Sequence, residues 1–299
     1  MQKRKLALSL ILLIAILLGG CNLPALQPYA VPSPTEPPTA TFVPPTATLT
    51  PLPTPTKPAV CQEQQGSIES GEVVDERIDK PMRFLVYLPP CYHFPGNQAR
   101  KYPVLYLLHG QNNNEEQWVR IGVVQAADEM INNKALPPFI MVFPFDYYSV
   151  KQPNQYSFEA VFIEKLVPTI EKDFRVLPGR ANHAVGGLSR GGAWALHLGI
   201  RNPKVFGSIG GHSPVIFFAD HKNLPQALLK LSPEELPRLW LDIGNSDPEL
   251  TLMKQFEQLL TNNEIPHTWN VFPGYHEEKY WSVHVKEYLA WYANQWPGR

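Results

Sequence analysis

The residues best suited to chemistry stand in one short run, Gly187-Leu188-Ser189-Arg190-Gly191. An apolar stretch, His183-Ala184-Val185-Gly186, leads into it, and the Ala-rich Gly192-Ala193-Trp194-Ala195 follows. A serine between glycines two before and two after, at a strand-to-helix turn, is the G-x-S-x-G arrangement that exposes a nucleophilic oxygen. The glycines leave room for the strained backbone of such a turn. The hydroxyl is a weak nucleophile alone and needs a base, and the base needs an orienting group. On the fold that carries a G-x-S-x-G turn these should follow in the order serine, acid, histidine.

Among nine histidines, His276 has the right placement. It lies in Phe272-Pro273-Gly274-Tyr275-His276-Glu277, past a strand and before the last helix, where sites on such sheets gather. His267 precedes its strand, and His284 falls inside the helix. For the acid, the strand Leu239–Ile243 runs into Gly244-Asn245-Ser246-Asp247-Pro248. Asp247, on the strand-end loop, is the expected orienting carboxylate, although aspartate before proline is also a helix-cap pattern. Asp242 is the alternative, or else a buried strand carboxylate with its own hydrogen-bond partner. A developing oxyanion needs two backbone N–H donors. One is Arg190, the residue after the serine. The other belongs to Leu108-His109-Gly110-Gln111-Asn112, with Gln111 expected and Asn112 as second choice. Trp118 reads as core in preference to a substrate platform.

These residues need a scaffold, and the pattern supplies one. Arg83–Leu88, Val104–Leu108, Ile140–Phe143, His183–Gly186, Val205–Gly210, Leu239–Ile243 and Thr268–Phe272 read as strands. Val104–Leu108 is an unbroken apolar run, as expected for a strand buried on both faces. Phe158, Phe162, Leu166 and Ile170, four apart, mark an amphipathic helix over 157–173. Further helices are expected over 190–201, 249–263 and 279–296. Alternation of this kind implies an α/β fold, a mostly parallel sheet with helices on both faces. Residues 61–299 suit one such domain.

Together with Tyr87-Leu88-Pro89, Leu107-Leu108-His109-Gly110, Leu166-Val167-Pro168, Asp242-Ile243-Gly244 and Gly274-Tyr275-His276 with Trp281, these motifs carry a resemblance. From about residue 67 onward the chain resembles the putative esterase, or esterase D-like, family of α/β-hydrolases. That family includes feruloyl and acetyl-xylan esterases, S-formylglutathione hydrolases, siderophore esterases and mycolyltransferases. The resemblance implies Ser189, Asp247 and His276 as a triad. One departure stands out: many relatives carry methionine where this chain has Arg190. Its guanidinium either favours an anionic substrate or pairs with a structural carboxylate.

The other features concern location. Lys and Arg number 26 against 27 Asp and Glu, so the basic face of a nucleic-acid binder is not expected. Lys3, Arg4 and Lys5 precede the apolar run Leu6–Leu18, and Leu18-Gly19-Gly20-Cys21 follows. This is a secretory signal over residues 1–20 whose cut falls before a cysteine, resembling the bacterial lipobox. Cys21 is then the lipidated mature N-terminus and the membrane partner is reached through acyl chains. The apolar run spans about 20 Å, too short for a bilayer core of about 30 Å. Residues 22–60 hold 12 prolines and 8 threonines with only Glu36 and Lys57 charged, which favours an extended stalk over a packed fold. With Cys21 acylated, Cys61 and Cys91 are an even pair in an oxidising setting and are expected to form a disulfide.

The expected protein is thus exported, lipid-anchored on the outer face of a bacterial membrane, and a serine esterase. Its expected substrates are acyl or aromatic esters, polysaccharide-linked ones among them, hydrolysed through an acyl-enzyme. An acyltransferase and a non-catalytic binding lipoprotein are the alternatives. No cofactor is required, and no H-E-x-x-H metal motif occurs.

Overall fold

The fully apolar run Val104–Leu108 is the centre of the fold. In the computed structural model, which describes residues 60–148 and 150–296, this strand carries no exposed residue. Val104, Tyr106 and Leu108 face one core layer, while Leu105 and Leu107 face the other, as the two-residue repeat of a strand requires. In chain order the elements are β1 (Ser67–Val73), β2 (Met82–Leu88), β3 (Val104–Leu108), α1 (Gln117–Arg120), α2 (Val123–Asn132) and β4 (Ile140–Pro144). There follow α3 (Phe158–Val161), a π-helical turn (Phe162–Leu166), α4 (Val167–Asp173), β5 (His183–Leu188), α5 (Arg190–Arg201) and β6 (Ser208–His212). The chain continues through α6 (Asp220–Leu228), β7 (Arg238–Gly244), α7 (Leu250–Asn262), β8 (Thr268–Phe272) and α8 (Glu278–Ala293).

The eight strands form one sheet in the order β1-β2-β4-β3-β5-β6-β7-β8. β1 and β2 run antiparallel, as do β2 and β4, and every remaining pair is parallel. Residues of α1, α2 and α8 pack against one face, and residues of α3 to α7 against the other. This is the single-domain α/β-hydrolase architecture. Because β5, β6, β7 and β8 are parallel, the loops after β5, β7 and β8 all open at the same sheet edge.

Three differences from the sequence pattern have physical causes. The sixth strand is Ser208–His212, not Val205–Gly210, because Val205 and Phe206 donate back to the Asn202 carbonyl and close a turn. β1, mostly exposed and interrupted by Gly71, lacks the apolar alternation that would announce a strand. α6 carries Pro225 within it, a residue that reads as a helix breaker.

Cys61 and Cys91 are joined by a disulfide with Cα atoms 5.9 Å apart, tying the start of the described chain to the segment after β2. The segment over residues 1–20, Cys21, and the proline-rich stretch as far as residue 59 lie outside the described residues. Among the described residues no helix is long and apolar enough to cross a membrane.

Candidate active site

The turn after β5 puts Ser189 at φ 54° and ψ −123°, a region that non-glycine residues rarely occupy. Close approach explains the two flanking glycines. A Cβ on Gly187 would lie 2.1 Å from the Gly191 carbonyl oxygen, and a Cβ on Gly191 would lie 2.1 Å from that of Leu108. The Ser189 amide donates to the His212 carbonyl at 3.0 Å, which pins the turn to the end of β6.

The loop after β8 brings His276 to this turn. Its Nε2 lies 2.8 Å from Ser189 Oγ, and its Nδ1 lies 2.7 Å from Asp247 Oδ2. The Asp247 carboxylate is fully buried and can only accept, so Nδ1 carries the proton. Nε2 is then the lone-pair nitrogen facing the hydroxyl, the tautomer a general base needs. The other Asp247 oxygen accepts the Glu249 amide at 2.8 Å. This is a turn bond ahead of α7, whose N-cap is Glu249 with no side-chain cap, so Asp247 is not the helix cap its place before proline suggested. Trp281 stands edge-on to His276, ring centroids 5.1 Å apart, and donates to the His212 carbonyl at 3.2 Å. One backbone oxygen thus holds both the serine turn and the wall behind the histidine.

Asp242 does not join this arrangement. It is fully buried inside β7 and accepts four hydrogen bonds. His212 Nδ1 and Trp240 Nε1 reach Oδ1 at 2.7 Å each, and the Tyr280 and Tyr288 hydroxyls reach Oδ2 at 2.7 and 2.9 Å. Four donors compensate its desolvation, which makes Asp242 a hub of the core beneath the site. Trp118, 1 % exposed, donates to the Leu108 carbonyl at 2.9 Å and belongs to the core. His284 stacks on Phe272 within α8, and His267 lies before β8; neither approaches Ser189.

The loop after β3 closes the site on the other side. Gly110 lies against Ser189: a Cβ added there would sit 3.5 Å from Ser189 Cβ. The amides of Gln111 and Arg190 have no acceptor among the described residues. A cleft of about 240 Å³ is lined by these loops, including Gln111, Asn113, Ser189, His276, Glu278 and Trp281.

The Arg190 side chain is turned away from this cleft and is buried. Its guanidinium reaches Asp146 at 3.2 Å, the carbonyls of Tyr148 and Lys151 at 2.9 and 2.7 Å, and the Tyr156 hydroxyl at 3.0 Å. Of the two roles open in the sequence, the pairing with a structural carboxylate is the one present. Asp146 also accepts from Trp194 Nε1 at 2.9 Å, and its amide donates to His109 Nε2 at 2.9 Å. That contact leaves His109 Nδ1 to donate to the Gly110 carbonyl at 2.8 Å. Burial lowers the His109 pKa and keeps the ring neutral for both contacts. The sequence reading missed Asp146, although its place just past β4 at the strand-end edge was a usable signal.

A larger cleft of about 460 Å³ lies around His197 at the far end of α5. Its His197 is already hydrogen-bonded on both ring nitrogens, to Asp220 and Glu159, and the serine turn is not part of its lining. Among the described residues one group could converge on a metal ion, Cys61, Glu63 and Cys91, and both sulfurs there are committed to the disulfide.

The chain is similar to several known esterases. The endo-1,4-β-xylanase/feruloyl esterase of Xylanibacter ruminicola is 33% identical over 174 residues, 54% of this chain and 24% of that protein. An esterase of Mycobacterium tuberculosis is 27% identical over 244 residues, covering 64% of this chain and 51% of the relative. The chain therefore spans about a quarter to a half of the length of these curated relatives. A ferulic acid esterase structure superposes with a TM-score of 0.69 at 22% identity, over 78% of this chain and all of its own. The feruloyl esterase module from Clostridium thermocellum, complexed with sinapinate, gives 0.67 at 18% identity over 79% of this chain and 91% of its own. At such identities these two show the shared fold. A family model described as Putative esterase matches residues 76–292, most of the chain, and the protein belongs to that family.

Proposed function

We propose that the chain is a serine carboxylesterase that cleaves acyl or aromatic esters through an acyl-enzyme. The observation that carries this reading is the continuous hydrogen-bonded line from Ser189 Oγ through His276 to Asp247. In the mechanism His276 Nε2 takes the hydroxyl proton as Ser189 Oγ attacks the ester carbonyl. Asp247 holds the ring and stabilises the imidazolium that forms. The Gln111 and Arg190 amides receive the oxyanion. The imidazolium then protonates the leaving alcohol, which departs and leaves an acyl-Ser189 ester. Water, deprotonated by His276, attacks that ester, and the acid and free serine result.

Feruloyl and acetyl esters carried on polysaccharide are the favoured substrates, supported by the feruloyl esterase relatives and the sinapinate complex. We place the protein outside the cytoplasm, held to a bacterial membrane by lipid on Cys21, on the strength of the residues before that cysteine. The disulfide between Cys61 and Cys91 suits such an oxidising setting.

The test is a panel of acetyl, feruloyl and longer-chain aryl esters assayed with native protein and Ser189→Ala. Turnover should fall on the order of 10³-fold or more in the variant, with fluorophosphonate labelling lost and folding intact. Near-full activity in Ser189→Ala would remove the reading. Added alcohol acceptors separate hydrolysis from acyl transfer by product. Fatty-acid labelling that persists in Cys21→Ser would end the anchor proposal.

A further inference from the structure

Gly110, the residue before the Gln111 amide, is held through both its own N–H and its carbonyl, and the N–H is tied across the cleft to the histidine loop. We propose that Gln117 and Glu278 form a brace that positions the oxyanion loop against Ser189, so that both are positioning residues for the esterase reaction. The proposal rests on the serine-esterase reading above and adds to it a pair of residues that line the same cleft but make no hydrogen bond to Ser189, Asp247 or His276.

Gln117 is 2 % exposed, at the start of α1. Its Oε1 accepts the Gly110 amide at 2.7 Å, and its Nε2 donates to Glu278 Oε1 at 3.0 Å. The orientation of this side-chain amide is forced, because a backbone N–H only donates and an ionised carboxylate only accepts. Glu278 is the first residue of α8, two positions after His276. Arg120 clamps it, Nη2 to Oε1 at 2.5 Å and Nε to Oε2 at 3.3 Å. The Arg120 hydrogen bond also holds the Glu278 carboxyl below its ordinary value, so it remains the acceptor the chain requires. Arg120 Nη2 reaches Asn113 Oδ1 at 2.8 Å, a second grip on the same loop.

The far side of Gly110 is fixed independently. Its carbonyl accepts His109 Nδ1 at 2.8 Å and the Asn113 amide at 3.2 Å. That carbonyl and the Gln111 N–H belong to one planar peptide group, so orienting one orients the other. With the Gly110 amide tied to Gln117 and its carbonyl tied to His109, the Gln111 N–H has no freedom to swing from the nucleophile. The carboxylate that completes the tie sits on the segment that delivers His276. The base and the oxyanion donor therefore share one support, and a shift of the first turn of α8 moves both. Preorganised donors of this kind act in the transition state more than in the ground state.

The experiment uses the full chain and the variants Gln117→Leu, Glu278→Ala and Glu278→Gln, with an aryl acetate as substrate and an aryl boronic acid as oxyanion-mimicking inhibitor. Gln117→Leu should lower kcat about 10- to 100-fold with KM nearly unchanged, and weaken the boronic acid by a similar factor. Glu278→Ala should lose about 10-fold in kcat. Glu278→Gln, which keeps an oxygen for Gln117 Nε2, should recover most of it. Gln117→Leu with Glu278→Ala should be little worse than Gln117→Leu alone, since both break one chain. Melting curves report folding, and the partly exposed Glu278 variants keep the test open if Gln117→Leu folds poorly. Folded Glu278→Ala with kcat and boronic-acid affinity within twofold of native would overturn the brace. A native chain with no ester turnover and no fluorophosphonate labelling would instead remove the esterase reading, and the brace with it.

Discussion

Two buried aspartates near the end of β7 should fail in opposite ways when changed to asparagine. Asp242 accepts two hydrogen bonds on each oxygen, all from donors inside the core. Asparagine replaces one acceptor oxygen with an NH₂; turned to the Tyr280 and Tyr288 hydroxyls, which can accept from it, it still leaves their two protons without the carboxylate acceptor. A buried group left unsatisfied costs about 1–3 kcal/mol, giving roughly 2–6 kcal/mol for the pair. That is a large part of a typical stability of about 5–15 kcal/mol. For a domain of this size each kcal/mol moves the melting temperature by about 2–4 °C, so the drop should be about 5 °C or more. Asp247→Asn keeps its oxygen for the Glu249 amide, and its NH₂ turns to His276 Nδ1. That favours the imidazole tautomer with the proton on Nε2, which cannot accept from Ser189. The equivalent change in serine proteases lowers kcat about 10⁴-fold. Calorimetry and aryl acetate turnover on both variants make the comparison. A stable Asp242→Asn that loses about 10⁴-fold while Asp247→Asn stays within about 10-fold would refute the assignment.

Three further outcomes are expected. Cys61→Ser should lower stability by about 3–4 kcal/mol by freeing a 30-residue loop, read as a lower urea midpoint; an unchanged midpoint would refute it. Arg190→Met should destabilise by about 3 kcal/mol through the Asp146 charge it leaves buried, without changing the relative turnover of neutral and anionic esters, since the guanidinium faces away from the cleft. The His197 cluster should give stability a pH window. Burial opposes the His197 charge, but Asp220 and Glu159 outweigh it and raise the pKa above the ordinary 6.5. Its contribution is complete below 6.5 and fades as pH rises through the raised value. For Glu159, burial is outweighed by His197 and the pKa falls from 4.5 to about 2, so its contribution fades as pH drops below 4.5. Melting temperature against pH should flatten in His197→Gln, and an unchanged profile would refute the cluster.

The sequence by itself determined the elements that are local. The apolar run of β3, the four-residue spacing through α3 and α4, and the glycine-flanked serine before α5 are each set by neighbours in the chain, so periodicity revealed them. Strand-end logic also placed Ser189, Asp247 and His276 on loops of one sheet edge, and tertiary geometry brings their side chains into hydrogen-bond contact. Distant contacts that carry no motif, or that have rival candidates, were beyond such reading. Whether Asp242 or Asp247 faced His276 depended on where the loop after β7 carries Asp247, and on donors from β6, β7 and α8 converging on Asp242 inside the strand. The Arg190 side chain had two plausible destinations, and only the path of the chain after β4, which brings Asp146 beside it, decided between them. Gln117 and Glu278 carry no motif at all. They are 161 residues apart and meet because α1 and α8 cover the same face of the sheet, a relation set by packing and not by any local pattern.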